Sequence, residues 1–347
     1  MSSKQVNNKK DKIMKKKIIA IIAGGDSSEH DVSMHSAEGI ASWLDRDKFI
    51  VYTIEVRGLD WKVRLQDGST TDVNRHDFSF MEDGKKVKPD FAYITIHGTP
   101  GENGILQGYF ELVHVPYSSC NVLVAALTFD KFTLNHYLAV FGVKIADSML
   151  TCGGTFSGDQ VEETIGLPCF VKPNASGSSF GVTHCTKKEE IAEAIEKAKK
   201  ECNEVIIEAE LKGTEIANGV YRKSNGEVHV LPITEVVSEN EFFDYDAKYN
   251  GQVKEITPAR LSDDTTKRVK KLTETIYQVL RANGIMRVDY IITKSKDGKD
   301  VINLLEINAT PGMTKTSFIP QQAHADGLDM KDILTEVIEG KIGNNYD

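Results

Sequence analysis

The chain has 347 residues, more than one hydrophobic core usually organises, and this length predicts two or three domains. Hydrophobic residues make up 40% and charged residues 27%, a balance that argues against disorder over most of the length. The 42 basic and 51 acidic residues give a formal net charge of -9, which argues against a nucleic-acid partner held by general positive charge. An anionic ligand therefore needs local basic groups.

Cysteine usage and hydropathy predict a cytoplasmic protein with no membrane partner. The five cysteines include no C-x-x-C pair, which is typical of a reducing compartment. No apolar run approaches the roughly 18 residues of a membrane span, and the start lacks the apolar segment of a secretory signal. Residues 1–15 are mainly polar and basic, so we expect a loose extension, with either Met1 or Met14 as the first residue.

Alternating strand and helix patterns predict an N-terminal α/β domain over residues 16–118. An uninterrupted apolar run from Ile18 to Ala23, followed by two glycines, is typical of a buried parallel strand and its turn. Apolar residues at helical spacing come next, and residues 49–57 and 91–96 have strand-like patterns. This alternation predicts a parallel, Rossmann-like sheet.

Two further domains are expected after the first. One long helical pattern covers 121–141, and two extended segments then flank a loop of small residues before an amphipathic helix, which predicts a central α+β domain over 119–208. The C-terminal domain, 209–347, is predicted from strands near 205–209, 215–221 and 228–236, a mobile polar-aromatic loop at 239–256 and a helix from Ser262.

Two strand-like runs near the end of the chain predict a hairpin with acidic residues on one face. They are joined by Asp297-Gly298, a strong signal for a two-residue turn. Such a turn places Asp289 opposite Glu306 and Arg287 opposite Asn308, with all four side chains on one face. Opposed carboxylates about 5 Å apart repel unless a cation or proton lies between them, and oxygen ligands suit Mg²⁺. An exposed charged face is the alternative, but the apolar residues between these positions favour a metal site.

A loop of small residues after Lys172 indicates phosphate binding. Its backbone N–H groups can approach phosphate oxygens closely, although an ordinary hairpin turn is also rich in Gly and Ser. The G-x-x-x-x-G-K-[ST] pattern is absent, which disfavours a Walker-type site. His97 ends a predicted strand, where open α/β sheets place their ligands, but a lone histidine is more often structural.

Eight motifs follow one another in an order that points to a known family. They are GGDSSEHDVSMHSA, HGTPGENGILQG, DK at 130–131, KPNASGSSFGV, EAELKGTEI, DYDAKY, RVDY and LLEINATPGMTKTS. Over about residues 16–340 this series resembles the D-alanine–D-alanine ligases of the ATP-grasp superfamily. The resemblance implies a three-domain ATP-grasp architecture. It also implies an enzyme that phosphorylates one D-alanine with ATP and joins the acyl phosphate to a second D-alanine, for peptidoglycan synthesis.

The resemblance also implies a role for individual residues. The residues that it implies for ATP are Lys131, Lys172, Ser178, Ser179, Glu208, Glu215 and Lys248. Among them, Glu208 is expected to flank the adenine. For two Mg²⁺ ions, with Mn²⁺ as a possible substitute, it implies Asp289, Glu306 and Asn308. For the two D-alanine molecules it implies Glu29, His97, Lys248, Arg287 and Ser317. The catalytic set that it implies is Glu29, Ser178, Tyr249, Arg287, Gly312 and Ser317.

Two other functions remain open on the sequence. One is a ligase of the same fold that takes D-lactate or D-serine as its second substrate, although Tyr249 resembles the residue of the dipeptide-forming enzymes. A non-catalytic nucleotide-binding regulator is disfavoured, because a sensor has no need of a complete phosphoryl-transfer set. The resemblance also leads us to expect a homodimer.

Overall fold

The computed structural model describes residues 15–177, 180–238 and 253–343. The helices in these ranges are α1 His30–Trp43, α2 Ile105–Leu112, α3 Val122–Phe129, α4 Lys131–Ala139, α5 Gly158–Thr164, α6 Ile191–Ala198, α7 Asp263–Val279, α8 Phe318–Ala325 and α9 Met330–Gly343. The strands are β1 Lys17–Gly24, β2 Phe49–Arg57, β3 Asp60–Arg64, β4 Thr70–Asp72, β5 Phe80–Glu82, β6 Lys85–Val87, β7 Phe91–Ile94, β8 Ser148–Leu150, β9 Cys169–Pro173, β10 Thr183–Cys185, β11 Val205–Ala209, β12 Thr214–Arg222, β13 Val228–Ser238, β14 Val253–Ile256, β15 Ile285–Lys294 and β16 Asp300–Asn308.

The first sheet has the strand order β4-β3-β2-β1-β7. Strand β1 is buried along most of its length and runs parallel to β2 and β7, which confirms the predicted parallel core. The prediction of a parallel sheet is wrong at one edge, where β3 pairs antiparallel with β2 and β4 pairs antiparallel with β3. The physical reason is the turn between β2 and β3, where Gly58 takes a φ of 54° and returns the chain within two residues.

The predicted long helix over 121–141 is two helices. The break falls at Asp130, which has an extended backbone and accepts a hydrogen bond from the Thr133 N–H at 2.8 Å. Asp is a favoured N-cap because its carboxylate satisfies a free backbone donor at the start of a helix. The apolar periodicity hid this break, since both helices bury residues at helical spacing.

The second sheet, β10-β9-β11-β8, is antiparallel and carries helix α6 on one face. The inward residues of this helix pack on the sheet as predicted; they are Ile191, Ala194, Ile195 and Ala198. The opposite face carries alternate residues of β9 and β11, Lys172 and Glu208 among them, and α4 contacts it through Asn135.

The third sheet has the order β14-β13-β12-β15-β16. Met286, Val288 and Tyr290 on β15 are fully buried against α7, which begins after its N-cap Ser262 as predicted. The other face of β15 is therefore the one that carries Arg287 and Asp289.

The register of β15 and β16 agrees with the prediction at the charged residues and differs at the turn. Lys294 pairs with Asp300 rather than with Val301, because the chain turns through three residues instead of two. A β-bulge then shifts the pairing by one residue, so that Asp289 lies opposite Glu306.

Each of the three large sheets falls within one predicted domain, except that β11 extends one residue past the predicted boundary at 208; β5 and β6 form a separate two-stranded sheet. The domain boundaries themselves remain a prediction. The predicted extension lies outside the described residues except for Lys15, and so do residues 239–252 of the loop at 239–256. In the described ranges, no helix combines the length and the apolar character that crossing a bilayer requires.

Candidate functional site

The charged face of the β15–β16 hairpin is the centre of the candidate site. Asp289 is 5% exposed, and its carboxylate accepts from Arg287 through Nε at 2.8 Å and Nη2 at 2.7 Å. Asn308, directly across from Arg287, donates from Nδ2 to the same carboxylate at 3.1 Å. With Glu306 opposite Asp289, all four residues lie together as the sequence predicted.

The donor set on this face suits a hard cation. Asp289 and Glu306 offer two carboxylates, and Asn308 offers an amide oxygen. In the part of the chain that the structure describes, no group of three or more His, Cys, Asp or Glu side chains is placed to hold a metal by itself. Mg²⁺ commonly uses one or two carboxylates together with water and substrate phosphates, so these residues fit a magnesium that binds with a nucleotide.

The Arg287 guanidinium is held in place on two sides. It forms a two-point ion pair with Asp289 and lies over the ring of Phe318, 5.2 Å from the ring centroid. Burial lowers the pKa of Arg287, but the charges of Asp289, Glu306 and Glu215 outweigh it and raise the pKa. The group therefore stays a cation, and Glu215 on β12 is one of the charges that favour this state. No sequence motif singled out Phe318.

The two predicted phosphate-binding lysines that can be described flank the glycine loop, and Lys172 is buried while Lys131 is half-buried. Lys131 is the first residue of α4 and donates from Nζ to the Ser176 carbonyl at 2.6 Å. Burial is the main cause that lowers the pKa of Lys131. Lys172, on β9, has its Nζ 2.5 Å from Oε2 of Glu208 on the neighbouring strand β11. Asn135 completes this group by donating to Oε1 of Glu208 at 3.2 Å.

Glu29 and the glycine loop are in close contact. Glu29 precedes α1 and is 8% exposed. A Cβ on Gly177 would lie 2.1 Å from Oε2 of Glu29, so only glycine permits this approach. The structure thus joins the first motif of the chain to the loop 150 residues later, as the resemblance implies.

His97 lies at the end of the first sheet beside these groups. Its side chain is buried, and Nε2 has no hydrogen-bond partner among the described residues. Burial lowers the pKa of His97, while the charge of Glu29 opposes this shift and the charge of Arg287 adds to it. His97 is therefore held mainly as a neutral imidazole between the Glu29 and Arg287 charges.

Gly312 and Ser317 lie in the segment between β16 and α8. Ser317 is the N-cap residue of α8, and its Oγ accepts from the Thr314 N–H at 3.0 Å. A Cβ on Gly312 would lie 3.1 Å from that Oγ, which shows how closely the two residues approach. This segment follows Asn308 directly, so the hairpin positions it.

Glu102 is a site residue that sequence reasoning missed. It lines a cavity of about 40 Å³ together with Lys131, Gly177, Glu306 and others. Its Oε2 accepts from the Gly98 N–H at 2.7 Å. Burial, with the charges of nearby carboxylates, raises the pKa of Glu102 to about 8. The signal was available, because Glu102 stands in the HGTPGENGILQG motif, but no role was assigned to it.

Four predicted site residues lie outside the described part of the chain: Ser178, Ser179, Lys248 and Tyr249. Of the others, Lys131, Glu306 and Asn308 line the cavity that contains Glu102, and Arg287 and Asp289 lie on the hairpin face with Glu306 and Asn308. A larger groove of about 560 Å³, between α7 and the start of β16, contains none of the predicted site residues.

Comparison with known proteins agrees with this geometry. The family models "D-ala D-ala ligase N-terminus" and "D-ala D-ala ligase C-terminus" match residues 18–120 and 142–339. A protein of Phocaeicola vulgatus named D-alanine--D-alanine ligase is 60% identical over 94% of this chain and 99% of its own length.

Solved structures are similar over nearly the whole chain. The VanG D-Ala:D-Ser ligase from Enterococcus faecalis superposes with a TM-score of 0.79 at 30% identity, covering 93% of this chain and 99% of that one. The D-alanine--D-alanine ligase from Bacillus anthracis complexed with ATP gives a TM-score of 0.74 at 28% identity, covering 94% and 98%. The predicted family and fold class are confirmed: the chain belongs to the D-alanine–D-alanine ligase family and has the three-sheet ATP-grasp architecture.

Proposed function

We propose that this chain uses ATP to join two D-alanine molecules into D-alanyl-D-alanine, releasing ADP and phosphate, in the synthesis of peptidoglycan precursors. The observation that carries the proposal is the hairpin face on which Arg287, Asp289, Glu306 and Asn308 meet. Cations and metal-binding oxygens are needed together where a triphosphate and a carboxylate, both anionic, must approach each other.

The reaction begins with activation of a carboxylate. A free carboxylate has no good leaving group, so the first D-alanine receives a phosphoryl group from ATP. Lys131 on α4 and Lys172 on β9 neutralise the nucleotide phosphates, with Ser178 and Ser179 covering them. Glu208 flanks the adenine, and Glu215 and Lys248 complete the nucleotide site.

When bound together with ATP, metal ions would neutralise part of the phosphate charge. We assign Asp289, Glu306 and Asn308 to two Mg²⁺ ions, with Mn²⁺ as a substitute. Asp289 is held by Arg287 and Asn308 before any ligand arrives, which keeps its carboxylate pointing along the hairpin face.

The substrate groups come from the first sheet and α1, from the hairpin, and from the segment between β16 and α8. Glu29 anchors the ammonium of the first D-alanine, and His97 lies near its carboxylate. The amine of the second D-alanine attacks the acyl phosphate, and the Arg287 guanidinium with the Gly312 N–H stabilises the resulting oxyanion. Ser317, with Lys248, binds the carboxylate of the second D-alanine.

Water must be excluded while the acyl phosphate exists, because hydrolysis would destroy it. We assign this to closure of the loop at 239–256, held by a hydrogen-bonded triad of Glu29, Ser178 and Tyr249. The contact between Glu29 and Gly177 supports the triad, since it already brings Glu29 next to the residue before Ser178.

Mass spectrometry of the product formed from ATP, Mg²⁺ and D-alanine tests the proposal. We expect D-alanyl-D-alanine, with one phosphate released for each dipeptide. The same assay with D-lactate or D-serine added tests the main alternative, which the similarity to a D-Ala:D-Ser ligase keeps open. Turnover only with D-lactate or D-serine would favour that alternative. ATP binding without any ADP formation in the presence of D-amino acids would favour a regulator.

We also propose a cytoplasmic homodimer. Helix α3 contacts both α2 and α4. Large apolar side chains are exposed on α2 and α3 and just after α4; they are Ile105, Leu112, Leu123, Val140 and Phe141. A patch of this kind is typical of an interface, and a second copy of the chain would cover it. Light scattering should give twice the chain mass for the wild type and a monomer for Leu123→Asp combined with Val140→Asp.

A further inference from the structure

Asn135 is a buried amide that no motif singled out. It lies on α4 four residues after Lys131, so both side chains project from the same face of the helix. Only 2% of Asn135 is exposed. Its Nδ2 donates to Oε1 of Glu208 at 3.2 Å, while its Oδ1 is buried and has no hydrogen-bond partner among the described residues.

The charge of Glu208 dictates the orientation of this amide. An ionised carboxylate only accepts hydrogen bonds, so the NH₂ group of Asn135 must face it, and the reverse orientation would bring two acceptors together. The second oxygen of Glu208 contacts Lys172 at 2.5 Å. Asn135 and Lys172 therefore hold the two oxygens of Glu208 from two elements, α4 and β9, and set the plane of the carboxylate before a ligand binds.

The partner of Asn135 is what sets this asparagine apart. Loss of Asn135 would remove a donor from Oε1 of Glu208, and a buried carboxylate oxygen that loses a donor favours a new orientation. The one hydrogen bond that Asn135 makes is to Glu208, a residue of the nucleotide site. The function of Asn135 therefore acts through Glu208.

We infer that Asn135 is a positioning residue that orients Glu208 and thereby makes the nucleotide pocket select a purine with an amine at position 6. The inference rests on the proposed function, in which Glu208 flanks the adenine. A carboxylate held as an acceptor binds the 6-amino group of adenine and repels the 6-oxo group of guanine. Without Asn135, the carboxylate can rotate away and this discrimination weakens.

Steady-state kinetics of the full-length Asn135→Leu variant with ATP and GTP test the inference. Leucine keeps the branched outline of the side chain and removes the donor to Glu208. We expect the KM for ATP to rise about tenfold and the kcat/KM preference for ATP over GTP to fall about tenfold. The kcat at saturating ATP and the KM for D-alanine should stay within about twofold of the wild type.

Asn135→Asp is a second variant with the shape of the original side chain. It places a carboxyl group against Glu208, with Lys131 and Lys172 as the other charged groups nearby. At pH 8 repulsion should raise the KM for ATP further than in Asn135→Leu. At pH 6 a proton shared by the two carboxyl groups restores a donor, so the KM should move back toward the wild-type value. If Asn135 had only a structural role, the KM for ATP of Asn135→Asp would not change with pH in this way.

Asn218→Leu is the matched control. Asn218 is also fully buried, donates once, to the Leu231 carbonyl at 2.8 Å, and has an Oδ1 without a described partner. Its substitution should change stability without changing the preference for ATP.

In the background of Glu208→Gln, Asn135→Leu should have little further effect on the KM for ATP, because Asn135 acts through Glu208.

The possible failures are distinct. An unchanged preference for ATP over GTP in both Asn135 variants would overturn the inference and leave the proposed function standing. If the wild type made no dipeptide from ATP and D-alanine, the proposed function would fail instead. Calorimetric titration of ATP and GTP into the same proteins would then still decide whether Asn135 sets the choice of purine.

Discussion

Asp289 and Glu306 face each other across β15 and β16 because a β-bulge lies between them and the turn of the hairpin. The pairs nearest the turn are displaced by one residue from those at the charged face. Without the shift, Glu306 would stand opposite Val288 and point into the core, since side chains alternate along a strand. The bulge therefore decides that two carboxylates share one face.

Glu306→Gln should raise the Mg²⁺ concentration needed for half-maximal rate by about tenfold or more. The amide keeps the shape of the side chain but removes one of the two charges that attract the metal. The rate measured against total Mg²⁺ at saturating ATP and D-alanine checks this. Asp297→Asn, at the exposed turn of the same hairpin, is the control and should leave the curve unchanged. A Glu306→Gln curve that matches the wild type would remove Glu306 from the metal site.

Arg287→Ala should lower kcat about 100-fold or more. Loss of one oxyanion donor costs roughly 3–4 kcal/mol in other enzymes, and Arg287 is fixed for such a task by Asp289 and Phe318. Dipeptide formation under saturating substrates measures the effect. Arg268→Ala, on the exposed side of α7, should keep the wild-type rate. Near-full kcat in Arg287→Ala would refute the role.

Gly177→Ala should reduce kcat/KM for D-alanine by about 100-fold, because the added Cβ would lie 2.1 Å from Oε2 of Glu29 and must displace its carboxylate. Initial rates at varied D-alanine and fixed ATP provide the measurement. Gly108→Ala is a suitable control, since a Cβ there meets its nearest neighbour at 4.0 Å. Equal kcat/KM values for the two variants would mean that the Glu29 contact has no part in substrate binding.

The stability of the unliganded protein should fall as pH rises from about 5 to about 8, in part because of Glu102. Its pKa is about 8 in the folded chain, whereas the ordinary value is 4.5, so in this range the unfolded chain has lost a proton that the folded chain retains. Glu102→Gln cannot ionise and should show a smaller fall in Tm over this range. Thermal unfolding in EDTA without nucleotide measures it. Glu193→Gln, at an exposed position on α6, is the control and should show the same fall in Tm as the wild type. An equal fall in Glu102→Gln would mean that the pKa of Glu102 is ordinary.

The limits of prediction are clearest at two places. The sequence predicts the β15–β16 register correctly at the charged residues, although it predicts a two-residue turn where the structure has three. The longer turn shifts the pairing by one residue, and the bulge shifts it back. The helix over 121–141 was predicted without its break, because apolar periodicity continues across Asp130. Local chemistry at single residues, a cap or a bulge, changes the chain path without changing the pattern of apolar residues.

The sequence by itself determined the family and the longer elements, and it proposed the residues of the candidate site, because apolar periodicity, turn residues and ordered motifs are local properties of the chain. Only the tertiary structure decided which distant side chains meet. It brought Glu29 against Gly177, placed Glu102 in the cavity and aimed Asn135 at Glu208. These contacts depend on how three sheets pack around one cavity, and burial and neighbouring charge at such contacts have no local signature in the sequence.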